Sequence, residues 1–122
     1  MMSDQKDKLA MEVVSHMMEH DLFSQWLGIE VLEIKEGFSR IKMTIRKEMI
    51  NGFGIIHGGI AFSLADSAFA FACNNRNILS VKEIHNGKTT GLYHITISNQ
   101  NGHPVAEFKG LCYRTDKQLI KK

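Results

Sequence analysis

Proline is almost missing from this chain of 122 residues, with Pro104 the one example, and there is no low-complexity run. Nothing therefore marks a linker or a low-complexity segment, and residues 1–122 read as a single domain without internal repeats. Cysteine is scarce too. Cys73 and Cys112 are the only two, too few for a disulfide framework or a cysteine zinc site, and both sit in apolar segments as small core residues. The chain lacks an excess of either charge: the net charge of +2 gives no basis for nucleic-acid binding. It also lacks an apolar run long enough to cross a bilayer. Residues 1–8, Met1-Met2-Ser3-Asp4-Gln5-Lys6-Asp7-Lys8, mix both charge signs and have no signal-peptide core, so the cytoplasm is the expected compartment. No G-x-S-x-G, Walker loop or G-x-G-x-x-G after a strand occurs, which removes the usual hydrolase elbow and nucleotide-binding loops.

What is present is concentrated in one stretch. A polar, glycine-rich loop, Asn51-Gly52-Phe53-Gly54-Ile55-Ile56-His57, runs into Gly58-Gly59 and then a long series of Ala, Phe, Leu and Ile. With no proline and few β-branched residues, the series predicts a helix over 58–75. It is apolar on most sides, as a buried helix is, yet Gly59, Ser63, Asp66, Ala70 and Asn74 recur at steps of three and four and share one face.

Around this helix the pattern is simpler. Leu9, Val13, Val14, Met17 and Met18 fall at helical spacing, predicting an amphipathic helix over 7–20. His16 and His20, one turn apart, have a metal-compatible spacing but no evident third ligand, and read as surface histidines. Phe23, Trp26 and Leu27 form an apolar knot expected to cover the core near the first strand. Strands are predicted over 28–35 and 38–47, the second alternating Ile41, Met43, Ile45 with Lys42, Thr44, Arg46. Asn86-Gly87 signals a hairpin, and strands over 92–99 and 104–115 follow. The order predicts an α+β fold: an antiparallel sheet wrapped around one long central helix, with an N-terminal helix.

The chemistry of the central stretch follows from elementary physics. The first turn of a helix leaves backbone N–H groups without partners at its positive end, and glycine lets a ligand approach them. Such an end stabilises an oxyanion. Asp66 lies eight residues on, about 12 Å along the axis. It cannot act on a carbonyl held at the N-terminus of its own helix. Either it has another purpose, such as a buried carboxylate met by internal donors, or it faces a site completed by a second subunit. His57, just ahead of the helix, suits a cap as well as a site residue.

The run from Asn51 through His57-Gly58-Gly59 to Asp66, continued by Ala68-Phe69-Ala70-Phe71-Ala72-Cys73-Asn74, closely resembles the signature of hotdog-fold acyl-CoA thioesterases of the phenylacetic acid degradation (PaaI) type. Residues 87–91 and 105–110 resemble the end of that family. The resemblance implies a thioester hydrolase that cleaves aryl- (phenylacetyl-type) or medium-chain acyl-CoA to free acid and CoA. Asp66 would be nucleophile or general base, and the Gly58 amide the oxyanion hole. His57 and Asn51 would orient the thioester and the attacking group. It further implies homodimers pairing into homotetramers, with carboxylate and oxyanion hole meeting across the dimer. No metal or redox cofactor is expected. Basic side chains would hold the CoA phosphates, with Lys88, Lys109 and Arg114 as candidates. The alternative is a non-catalytic acyl-CoA-binding hotdog module, which would keep the Gly58 pocket without needing Asp66.

The chain departs from that family between the central helix and the Asn-Gly hairpin. Residues 78–84 stand where the family has two long strands, a shortfall on the order of twenty residues at ordinary strand lengths. The expected explanation is that residues belong between Val81 and Lys82 beyond these 122, so that the intact protein outweighs the 13.8 kDa they account for. Without that strand, sheet edges would be left exposed.

Overall fold

The computed structural model describes residues 3–76, 80–81 and 90–120. Helix α1 is Ser3–His20, and α2 is Leu22–Leu27. Strands β1 (Glu30–Lys35) and β2 (Phe38–Lys42) precede a short 3-10 turn, Lys47–Met49. Then come α3 (Gly58–Asn74), β3 (Ser80–Val81), β4 (Thr90–Ser98) and β5 (Pro104–Arg114). The fold is the α+β arrangement expected, and among the described residues no helix is long and apolar enough to cross a membrane.

Helix α1 turns Ala10, Val13 and Val14 into the core. It starts four residues earlier than its apolar spacing suggested, because Asp4 suits the positive end of the helix even without an apolar partner. Asp21 caps α2 by accepting from the Ser24 amide at 3.0 Å, and Gly28, at φ 79°, ends the helix in the left-handed conformation. The apolar knot divides. Leu27 is fully buried, but Phe23 and Trp26 are 53% and 59% exposed. They stack on each other with ring centroids 5.9 Å apart, and the Arg46 guanidinium sits 5.1 Å above the indole.

Strand β2 ends at Lys42, short of its predicted limit at residue 47. Lys42 pairs with Glu30, the first residue of β1, and before Glu30 the chain has already turned through Gly28 into α2. Among the described residues, those just beyond 42 therefore have no strand to pair with. The β1–β2 turn is held from below. Asn75, fully buried just after α3, accepts from the Gly37 amide at 2.8 Å and donates to the carbonyls of Lys35 (2.8 Å) and Phe38 (3.3 Å).

Helix α3 spans the expected residues and packs on β2, β4 and β5. Its C-terminal half is enclosed: Phe71 joins Val14, Leu27, Ile34 and Met49, while Phe69 and Cys73 pack with Cys112. The predicted single sheet is divided. Strands β1-β2 form one antiparallel pair, and β3-β5-β4 form a separate antiparallel sheet. The expected Asn86-Gly87 hairpin and the junction at Lys82 lie outside the described residues.

Candidate active site

The loop entering α3 is built by its own backbone and one side chain. The Asn51 amide donates to the Ile55 carbonyl at 2.8 Å, and Asn51 Oδ1 accepts from the amides of Phe53 (2.9 Å) and Ile55 (3.3 Å). Gly54 takes φ 81° inside this turn, a conformation costly for other residues. The His57 amide donates to the Met49 carbonyl at 2.8 Å, which anchors the end of the loop. Asn51 thus shapes the loop, with its oxygen occupied by loop amides.

His57 is the N-cap of α3. Its Nδ1 accepts from the Gly59 amide at 2.9 Å, so a neutral ring carries its proton on Nε2. Gly58 is exposed at the first helical position, and apart from its chain neighbours and the backbone of its own helix nothing lies within 4 Å of where a Cβ on it would stand. Tight packing within this chain therefore does not require glycine here. At Gly59, by contrast, a Cβ would stand 3.1 Å from His57 Nδ1.

Asp66 sits two turns further on, half-buried. It shares its face with Gly59, Ser63 and Ala70, none of them buried, while Ala61, Ala65, Ala68 and Ala72 face the interior. The polar stripe is thus the less covered side of the helix as far as Ala70, whereas Asn74 at its far end is buried. Next to it Ser67 turns inward and shares a buried 2.8 Å hydrogen bond with Ser24. Phe62, on the N-terminal half of α3, is 54% exposed despite its size.

The basic candidates do not converge. Lys109 is exposed on β5. Arg114 is committed to β4: it donates to the Thr90 carbonyl at 2.8 Å, and its guanidinium covers Gly91, where a Cβ would stand 2.5 Å from Nη2. Five positions apart on one strand, the two point to opposite faces. Lys88 lies outside the described residues.

A cavity of about 430 Å³ opens between β2 and β4, floored by Leu64, Ala65, Ala68 and Ala72 of α3. Asn51, His57, Gly58 and Asp66 do not line it. It lies between the edges of the two sheets, each lacking a neighbour on that side among the described residues. Arg40, Lys42 and Thr96 stand at its border. Sequence alternation marked Lys42 as part of a wet face but gave no sign that the face borders a cavity.

No protein-family model matches the chain. It is 37% identical over 120 residues to the acyl-coenzyme A thioesterase PaaI of Escherichia coli strain K12, a match that covers 80% of this chain and 86% of that one. The solved structure of the E. coli PaaI protein from the phenylacetic acid degradation operon superposes with a TM-score of 0.86 at 34% identity, covering 92% of this chain and 97% of the other. A variant of the phenylacetic acid degradation protein PaaI of Thermus thermophilus superposes at 0.68 with 27% identity, over 78% of this chain and 100% of that one. Since 80% of 122 residues is about 98, the 120-residue match crosses some twenty positions at which this chain has no residue. That agrees with the shortfall expected from the sequence.

Fold and helix together define a hotdog thioesterase, antiparallel strands packed on one long helix that opens on a histidine and two glycines. The chain belongs to the PaaI acyl-CoA thioesterase family and is a thioester hydrolase.

Proposed function

We propose that the chain hydrolyses aryl- (phenylacetyl-type) or medium-chain acyl-CoA to free acid and CoA, as a homodimer that pairs into a homotetramer. The Gly58 amide of one subunit binds the thioester oxygen, and Asp66 of a second copy supplies the attack. The observation that carries this reading is the pairing of an unobstructed glycine at a helix N-terminus with a carboxylate too far along the same helix to reach it. The half-covered N-terminal part of α3, with Phe62 exposed, is a face that a second copy would bury.

The chemistry asks for little else. Charge developing on the thioester oxygen is met by backbone N–H at the positive end of α3. Asp66 either attacks the carbonyl carbon, giving a mixed anhydride that water then opens, or takes a proton from water as that water attacks. In both routes the C–S bond breaks and the electron pair leaves with the CoA sulfur, a good leaving group that needs no strong acid. His57 holds the helix end in place and offers Nε2–H towards the site, while Asn51 fixes the loop beside it. Lys109, exposed on β5, and Lys88 serve the CoA phosphates. Arg114 contributes to such a site only by leaving the Thr90 carbonyl.

The test is thiol release from a panel of acyl-CoA esters by the wild type and by Asp66→Asn, which keeps the shape and removes the charge. Turnover is expected to fall by two or more orders of magnitude with the melting temperature little changed. The best substrate in the panel names the acyl class. If no ester releases thiol while CoA esters still raise the melting temperature, the proposal fails in favour of a binding module.

A further inference from the structure

The last two turns of α1 carry a cluster outside the thioesterase chemistry. His16, Glu19 and His20 each offer a ligand atom, and these atoms lie within 4.8 Å of one another. Among the described residues this is the one group of three such side chains so placed. Glu19 is the third ligand that the histidine spacing alone did not suggest. It stands three residues after His16 and one before His20, and positions 16, 19 and 20 share a flank of the helix. Val13 and Val14 face the core, while Glu19 and His20 are exposed and His16 is half-exposed.

Two features prepare the cluster for a metal. His20 Nδ1 donates to the His16 carbonyl at 2.9 Å, because a carbonyl can only accept. That fixes the tautomer and leaves the Nε2 lone pair available, the arrangement usual in a metal-bound histidine. The two imidazole rings already lie side by side, centroids 4.7 Å apart and tilted by 46°. The order His16-Met17-Met18-Glu19-His20 also has the H-x-x-E-H spacing with which a helix presents two histidines to zinc. Donors around a tetrahedral zinc stand roughly 3.4 Å apart at ordinary bond lengths. Exposed side chains reach that spacing by rotating about an ångström inward.

We propose that His16, Glu19 and His20 form a surface site for a divalent transition metal of borderline softness, such as zinc, with two imidazole nitrogens, one carboxylate oxygen and water completing the shell. Two nitrogen donors select zinc, copper or nickel over magnesium or calcium. Bound metal joins the final turns of α1 into one unit, and since the unfolded chain holds no such preformed set, it stabilises the fold by mass action.

Zinc chloride titrated calorimetrically into the untagged full chain tests this, with the melting temperature as a second readout. The expected result is one zinc per chain at micromolar affinity, a higher melting temperature with zinc, and no response to magnesium chloride. His20→Ala and His16→Ala, each checked for folding by circular dichroism, are expected to weaken binding at least thirtyfold, and Glu19→Gln several-fold, while His94→Ala binds as wild type. Zinc bound equally well by His20→Ala, no heat at millimolar zinc, or an equal response to magnesium would each overturn the proposal.

Discussion

The Gly59 amide donates to His57 Nδ1 at 2.9 Å, making the histidine of the His-Gly-Gly motif the cap of the central helix. Removing the ring in His57→Ala is expected to cost about 1 kcal/mol. His57→Asn, which caps as well, should restore the melting temperature. If Nε2 also meets the thioester, the Asn variant regains stability without regaining kcat; recovery of both would leave His57 a cap and nothing more.

Gly110 is required by its neighbour across the core. A Cβ there would stand 2.7 Å from the Phe69 ring, which is itself held by Tyr93 and Phe108. Gly110→Ala should therefore destabilise the protein by about 1–3 kcal/mol through overpacking. Chemical denaturation reads the effect, and a companion Phe69→Leu substitution should recover part of it by making room.

Burial pushes the Cys73 thiol up to about 12, with the nearby Cys112 adding to the effect. In the unfolded chain the same thiol titrates near its ordinary 9.0. Above pH 9 the unfolded state thus releases a proton that the folded state keeps, so this residue's contribution to stability falls as pH rises from 9 towards 12. Below 9 it contributes no slope. A thiol-specific reagent at pH 8 should label Cys73 slowly in the native protein and quickly in denaturant; rapid native labelling would contradict its burial.

The cavity between β2 and β4 separates two sheets where one was expected. Matching relatives carry some twenty positions that this chain lacks. The protein isolated from its own cells is accordingly expected to exceed 13.8 kDa by intact mass. A mass equal to that figure would show the shortening to be real, and would predict reduced dimerisation by size-exclusion chromatography with light scattering.

The central helix was legible because the local cues agreed: no proline, few β-branched residues, and an apolar series with one polar stripe. Residues 58–74 fold as that pattern dictates, and Asp66 falls on the less covered face for the same reason. Strands β4 and β5 lie within two residues of the strands expected over 92–99 and 104–115, and between them Asn99 Oδ1 accepts from the Asn101 and His103 amides.

Other features depended on contacts that no local pattern encodes. Phe23 and Trp26 look like core residues by type, but α2 is short and capped at both ends, and Ser24 and Leu27 take its two inward-facing places. Strand β2 stops where β1 runs out of residues to pair with it, a limit set by the partner. The bonding of Asn75 to Gly37 joins residues thirty-eight apart in the chain.

The sequence by itself determined the periodic elements, the composition of the central helix and the family signature, because these are written in short-range spacing of residue types. Tertiary structure decided which apolar side chains are enclosed and how the strands divide into sheets. Those outcomes depend on what the folded backbone brings together from distant positions, where pairing and burial are settled.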